Sequence, residues 1–244
     1  MTEGKEPEAV SMVSIVVPTY KEAEGLQSLV EQTFTALSGL PIAGELIIVD
    51  DNSPDGTGEV ADELARRYPV KVVHRPGKLG LASAVMDGFA VAEGDILGVM
   101  DADLSHPPSL LPAMIAAIVE RGADLAVASR HVRGGGVKNW PRRRQAISSF
   151  ANLLARPVTA IHDATSGYFL IRRRAIDGVK LEPIGFKIGL EVMVKANYRT
   201  WEEVPYIFTD RRYGQSKFNK REVLNYLLHL GALMVFRARR WLRR

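Results

Sequence analysis

The chain has 244 residues, 46% of them hydrophobic and 25% charged, with no cysteine and a formal net charge of +4. That composition fits one large or two small globular domains and excludes disorder, disulfide cross-links and a thiolate metal site. The charge is uneven: residues 211–244 hold ten Lys or Arg against one acid, Glu222, while the other 210 residues carry 22 basic and 27 acidic side chains. Such a split points to a basic C-terminal end meeting an anionic surface, nucleic acid or phospholipid. Residues 1–12 lack the basic-then-apolar pattern of a signal peptide and read as a loose tail.

Residues 13–17 are an apolar run with the pattern of a buried strand, ended by Pro18-Thr-Tyr20-Lys-Glu22. Leu26, Leu29, Val30, Phe34 and Leu37 then share one face of a helix. Residues 45–49 form the second strand, and Asp50-Asp51-Asn-Ser-Pro-Asp55-Gly-Thr-Gly58 leads by turn formers into a helix near 59–68. A third short strand at 70–74 closes with Arg75-Pro-Gly-Lys78-Leu-Gly80, and the next helix covers 81–92. Residues 96–100 read as a strand buried on both faces, stopped by Asp101-Ala102-Asp103 and by Pro107 and Pro108, which open a helix over 113–121. The fifth strand, 124–128, ends at Ser129-Arg130.

This alternation argues for βαβ units in a parallel sheet. Parallel strands would bring Tyr20, Asp51, Lys78, Asp101, Asp103 and Arg130 to one rim, the carboxyl edge where open α/β sheets bind ligands. Two carboxylates one residue apart suit a hard cation, Mg2+ or Mn2+, bridging to nucleotide phosphates; the alternative is a solvated turn. The first strand does not run into G-x-G-x-x-G, and Gly134-Gly-Gly136 lacks the P-loop Lys-Ser/Thr, which excludes both phosphate-cradle motifs.

Beyond residue 136 the pattern changes. Trp140-Pro-Arg142-Arg143-Arg144 opens a helix with an apolar stripe of Ala146, Ile147, Phe150, Leu153 and Leu154. A strand is expected over 165–171, a helix over 185–198 with Glu191 facing the core or the site, and an edge strand over 201–208. Residues 210–217 read as a mobile polar loop and 221–244 as a long helix. The apolar part of that helix, 224–236, is thirteen residues long, short of the ~20 that a membrane span needs. Arg237, Arg239, Arg240, Arg243 and Arg244 follow, with Trp241 among them. The helix reads either as an interfacial amphipathic anchor or as a packing helix with a solvated tail.

Val17-Pro-Thr-Tyr-Lys-Glu22, Val49-Asp-Asp-Asn-Ser-Pro-Asp-Gly-Thr57, Arg75-Pro-Gly-Lys-Leu-Gly80 and Met100-Asp-Ala-Asp-Leu-Ser-His-Pro-Pro108 resemble the inverting family 2 glycosyltransferases of the GT-A fold. Thr165-Ser-Gly-Tyr-Phe169 and Arg211-Arg-Tyr-Gly-Gln-Ser-Lys217 match the dolichol-phosphate (polyprenyl-phosphate) mannosyltransferases within that family. The resemblance implies an α/β fold with a mostly parallel sheet flanked by helices, divided into a Rossmann-like nucleotide-binding half and an acceptor half. The catalytic domain would span 13–220 and the basic amphipathic helix 221–244.

By that resemblance Pro18, Tyr20, Glu22, Val49 and Asp51 line the base and ribose pocket. Asp101, Ala102 and Asp103 hold the diphosphate and a Mg2+ or Mn2+ ion, with Asp101 and Asp103 as metal ligands. Arg130, Arg211 and Lys217 clasp the donor phosphates and the incoming acceptor phosphate, and with Asp103 they carry catalysis. Arg144 and Ser148, one helical turn apart, match positions near the acceptor phosphate. Ser105 stands where relatives can carry a metal-contacting Gln, so water would take that place. An ionised Asp51 can accept two donors from a guanine edge, or serve instead as a helix N-cap. The bland alternative for the cations is surface charge. His106 reads as a turn residue, and Lys78 receives no role.

The implied reaction moves mannose from GDP-mannose to a polyprenyl (dolichyl) monophosphate, inverting an α donor to a β-linked product. Such a chain would sit peripherally on the cytoplasmic face of an anionic membrane, with a membrane-protein partner left open. Two alternatives remain at this stage. One is a family 2 transferase using a UDP-sugar on a lipid phosphate or glycan. The other is a basic nucleic-acid-binding module, against which the lack of any reader motif speaks, so no nucleic acid is expected as a partner.

Overall fold

The computed structural model describes residues 10–209 and 220–242. Its first half follows the apolar runs of the sequence: β1 (Met12–Thr19), α1 (Ala23–Leu37), β2 (Ala43–Asp50), α2 (Thr57–Ala65), β3 (Val70–His74), α3 (Leu81–Val91), β4 (Ile96–Val99), a 3-10 turn at Pro108–Leu110, α4 (Leu111–Val119) and β5 (Leu125–Ser129). The second half holds β6 (Gly136–Lys138), α5 (Arg142–Ala155), β7 (Phe169–Arg172), α6 (Arg173–Ile176), α7 (Ile188–Lys195), β8 (Trp201–Pro205), β9 (Ile207–Thr209) and α8 (Lys220–Leu242).

Seven strands form one sheet in the order β3-β2-β1-β4-β7-β5-β8. β1 pairs in parallel with both β2 and β4, β2 with β3, and β5 with β8. β7 is antiparallel to β4 and to β5, so those two run the same way. All the strands but β7 therefore share a direction, and their carboxyl ends form one rim. β1 is the switch point: the chain goes to β2 on one side and later to β4 on the other, which opens a crevice above them. Both faces of the sheet are covered. Ile15, Val17, Leu46 and Ile48 pack with Leu26, Leu29 and Met114 on one side, and Val16, Ile47 and Val127 pack with Val85, Ile188 and Val192 on the other.

Several expectations change. Residues 10–12 are not loose: the Ser11 backbone N–H and hydroxyl both donate to Asp95 at 2.8 Å, and Val10 packs on the core. Residues 1–9 of the expected tail lie outside the described residues. The edge strand expected over 201–208 divides at Pro205, which has no N–H to donate. Tyr206 donates its N–H to Ser129 O and accepts from Gly136 N–H, which turns the chain out of the main sheet to pair β9 with β6. Only Phe169–Arg172 of the run from Thr165 is strand, so residues 165–168 are free to form part of the rim. The stripe on α5 faces outward, with Phe150 61% and Leu153 64% exposed. The mobile loop expected at 210–217 lies outside the described residues.

Helix α8 is apolar on two sides. Leu230 and Leu233 join Ala155, Val158, Leu190 and Val194 in a small core between α5, α7 and α8, while Leu224, Leu228 and Val235 remain more than half exposed. Among the described residues no helix is long and apolar enough to cross a membrane.

Candidate active site

Three loops at the rim are tied to one another by side chains that the sequence supplies as turn formers. After β1, Lys21 takes a left-handed backbone (φ 63°) and donates its N–H to Ser53 Oγ, while Glu22 N–H reaches Thr57 Oγ1, both at 3.0 Å. Asp50 accepts from Thr19, from Ser53 Oγ and from Ser53 N–H, which fixes the loop after β2. Tyr20 stays partly exposed at the mouth, with the Lys78 ammonium 3.8 Å from its ring centroid. Lys78 thus covers one face of that ring in a cation–π contact.

Asp51 is buried, and its carboxylate is already held by the Arg75 guanidinium and by Gly80 N–H. Arg75 also reaches Ser83 Oγ at 2.7 Å and Asp87 at 3.0 Å. The loop after β3 is therefore locked onto the loop after β2 through a residue that sequence reasoning quoted only as part of a motif. Val49, expected to line the pocket, is fully buried within β2 against Ala82 and Val85, and Ala102 is likewise in the core. The alternation of the strand, and the tight turn after β4, put these two side chains in the core, so a pocket-lining role at either position falls to the backbone. Pro18 is partly buried at the end of β1.

The two carboxylates differ. Asp101 is 36% exposed at its side chain, and its backbone N–H donates to His106 Nδ1 at 3.0 Å. Asp103 is only 4% exposed and accepts from Ser105 N–H at 3.0 Å. Leu104, between Asp103 and Ser105, adopts φ 60°. His106 does lie in the turn, but its buried ring stacks on Tyr168 at 5.0 Å, with Tyr206 and Phe208 edge-on. Because Nδ1 accepts the Asp101 N–H, the proton of the neutral ring sits on Nε2. His106 is thus a fixed prop that aims the first carboxylate.

Opposite them, Arg130 is engaged by a partner that the sequence did not reveal. Its Nε and Nη2 donate to the two oxygens of Asp163 at 2.7 Å, and Nη2 also donates to Thr165 Oγ1 at 2.9 Å. Burial alone would push the Asp163 carboxyl up, but the Arg130 guanidinium and backbone N–H outweigh it and hold it below the usual carboxylate range. Arg130 is correspondingly raised, despite its burial. Asp163 lies two residues before the Thr165-Ser-Gly motif, which was the only signal available for it. Arg144 lies over Trp140 at 3.9 Å and Ser148 is one turn further along α5, both partly exposed. Lys187 donates to Thr165 O at 3.1 Å; burial first, then Arg130, push its ammonium down to about 8. Arg211 and Lys217 lie outside the described residues. Glu191 faces the core: it is fully buried, 2.6 Å from Lys195 and 3.2 Å from His229, and latches α7 to α8.

The rim offers hard oxygen donors at Asp101 and Asp103, and among the described residues no cluster of three His, Cys, Asp or Glu. A divalent cation there would keep most of its coordination for water and ligand oxygens, the usual situation of a cation shared with a diphosphate. The donor set fits Mg2+ or Mn2+.

Residues 14–179 match the profile described as Glycosyl transferase family 2. The chain belongs to that family. This family 2 glycosyltransferase is 45% identical over 226 residues to a dolichol-phosphate mannosyltransferase of Pyrococcus furiosus, covering 91% of this chain and 63% of the relative. It therefore spans less than two thirds of that relative's length. It is 39% identical over 231 residues to the polyprenol monophosphomannose synthase of Mycolicibacterium smegmatis, covering 88% of this chain and 85% of that one. Among solved structures, glucosyl-3-phosphoglycerate synthase of Mycobacterium tuberculosis, with Mn2+, UDP-glucose and phosphoglyceric acid, superposes with a TM-score of 0.67 at 18% identity. That match covers 93% of this chain and 79% of the synthase. The family 2 transferase has the GT-A fold, with its mainly parallel sheet and C-terminal helix.

Proposed function

We propose that this chain transfers mannose from GDP-mannose to the phosphate of a polyprenyl (dolichyl) monophosphate. The observation that carries the reading is a single rim on which two carboxylates face a buried Arg–Asp pair and a lysine, beside helices with outward apolar faces. The likeness to relatives named for this transfer supports the sugar and the lipid phosphate.

Asp101 and Asp103 would hold Mg2+ or Mn2+, which when bound neutralises charge on the departing diphosphate. Tyr20, Lys78 and the Asp51–Arg75–Gly80 lock form the wall for the base and ribose, together with Pro18 and Glu22. A phosphate monoester is already anionic near neutral pH, so the acceptor needs no general base. An acceptor oxygen bonds to C1 of the sugar as the C1–O bond to the nucleotide breaks, and the electron pair leaves with GDP. Attack from the opposite face gives the β product. Arg130, held in one orientation by Asp163, supplies fixed positive charge to the phosphates, and Arg211 and Lys217 add theirs. Asp163 and His106 position; they need not touch substrate.

Leu224, Leu228 and Val235 on α8, with Phe150 and Leu153 on α5, give an apolar face for the headgroup region of a bilayer. Peripheral docking on the cytoplasmic face, through residues 221–244 and α5 together, is part of this reading.

Purified protein with radiolabelled GDP-mannose, short polyprenyl phosphate and Mn2+ should give chloroform-extractable label. GDP should compete and UDP should not. Label with UDP-glucose instead would replace this reading by the UDP-sugar alternative.

A further inference from the structure

Lys187 stands in the run Pro183-Ile-Gly-Phe-Lys187-Ile-Gly-Leu190, a single cation among apolar residues that no motif of the sequence singles out. Its place is set by a close approach. Gly189, in the first turn of α7, lies so near the 163–168 segment that a Cβ there would be 2.6 Å from Ser166 O. That contact brings Lys187 Nζ to 3.1 Å from Thr165 O, on the same residue whose Oγ1 receives Arg130. The charged groups around the ammonium are Arg130, Asp163, Asp101 and Glu222. Asp163 is already committed to both nitrogens of Arg130. An ammonium has three donors, and among the described residues Lys187 gives a hydrogen bond only to Thr165 O and otherwise lies over the Phe186 ring at 4.8 Å. Among the described residues this ammonium is short of hydrogen-bond acceptors.

The surroundings say which anion would supply them. The nucleotide wall at Tyr20 and Asp51 is built on the loops after β1 and β2, whereas Lys187 is on the α8 side. Gly185 packs against α8, where a Cβ would lie 3.1 Å from Asn225 Cβ. Ile184 and Phe186, which flank it, are apolar and about one third exposed, at 36% and 38%. A cation bordered by exposed apolar side chains matches a phosphate that carries a hydrocarbon chain.

Resting on the reading of the chain as a lipid-phosphate mannosyltransferase, we infer that Lys187 is a direct ligand of the acceptor phosphate, orienting its attacking oxygen. Lys187 stays protonated throughout: the phosphate oxygen bonds to C1, the C1–O bond to GDP breaks, and no proton is transferred. Burial, and then Arg130, push its ammonium down to about 8, and an arriving phosphate dianion would raise it again.

The test compares wild type with Lys187→Met and Lys187→Arg, following initial rates against short polyprenyl phosphate, calorimetric GDP binding with Mn2+, and melting. Lys187→Met should lower kcat/KM for the acceptor about a hundredfold, the usual scale for one charged contact to a reacting anion. GDP affinity should stay within about twofold, and Lys187→Arg should recover most of the loss. Inorganic phosphate separates the two sources of the anion. Competition that disappears in Lys187→Met shows that the phosphate alone is recognised, and no competition with the acceptor effect intact shows that the prenyl ester is required. Acceptor kcat/KM within about threefold of wild type, or GDP binding weakened as much as acceptor use, overturns the assignment. If Lys187→Met fails to melt cooperatively, Lys187→Arg decides: a folded Arg variant with acceptor kcat/KM down more than about thirtyfold overturns it. Absence of product with wild type overturns the mannosyltransferase reading itself, a result distinct from a wild type that works and a variant that works equally well.

Discussion

The half of this family 2 transferase proposed to bind the donor and the half proposed to bind the acceptor are finished to different degrees. Around the proposed nucleotide wall, the loops after β1, β2 and β3 are bound to one another through Thr19–Asp50–Ser53, Glu22–Thr57 and Asp51–Arg75–Gly80. Those polar groups are satisfied before any ligand arrives, which preorganises the wall. On the proposed acceptor side, α5 and α8 share a small core yet leave Phe150, Leu153, Leu224 and Leu228 between 55% and 64% exposed. A patch of that kind marks a surface meant to be covered. Asp101, Arg130, Asp163 and Lys187 stand on the line between the two.

The largest expected effect is on the donor side. Asp101→Asn should abolish Mn2+-dependent GDP binding and reduce turnover on the order of a thousandfold, the scale of losing a main charge stabiliser. Melting should be unchanged, since that side chain is 36% exposed. Asp103→Ala should lose the same binding and also melt lower, because Asp103 is buried on Ser105 N–H. Calorimetry with and without Mn2+, beside melting curves, checks both; metal dependence that survives in either variant removes it from the metal site.

Next comes the boundary itself. Asp163→Ala leaves the Arg130 guanidinium buried without its carboxylate, where the pair is 9% and 0% exposed. A broken buried pair costs about 3–5 kcal/mol, visible in urea unfolding as a midpoint shift at constant slope. A shift below about 1 kcal/mol would mean that water replaces Asp163 and that the pair is no boundary.

A smaller effect is expected on the acceptor side. Phe150→Ser with Leu153→Ser should lower turnover on long polyprenyl phosphate in liposomes about tenfold, as burying such side chains in a bilayer is worth about 1.5–3 kcal/mol each before other losses. Turnover on a short acceptor should change less than twofold and melting should hold. If both acceptors suffer equally, α5 acts on the site and not on the lipid surface. This double variant is a cleaner probe than removal of α8, whose Leu230 and Leu233 belong to the core.

The smallest effect concerns pH. Lys187 titrates at about 8 in the folded chain against an ordinary 10.5. Between those values the unfolded chain binds the proton and the folded chain does not, so this group's contribution to stability rises with pH. Below pH 8 both states are protonated and the burial cost is fully present. The stability difference between wild type and Lys187→Met should therefore shift in favour of wild type from pH 8 to 10, read by urea unfolding at each pH. A flat difference would place the ammonium in water.

What the sequence by itself determined is what local order encodes. Strands β1 to β5 follow from apolar runs ended by Pro, Gly and Asp, and their common direction follows from the helices between them. The rim with Tyr20, Asp51, Asp101, Asp103 and Arg130 was therefore legible before any coordinates. The tertiary structure decided everything that depends on partners distant in the chain. β7 inserts antiparallel between β4 and β5, pairing Val99 with Phe169 and Val127 with the same residue. Tyr206 finds Ser129 and so splits one expected strand into two. Asp163 meets Arg130 from 33 residues away, and Gly189 lets α7 press Lys187 toward the site. The stripe of α5 looks the same in sequence whether it faces a core or a bilayer, because periodicity reports that a helix has an apolar side and is silent on what covers it.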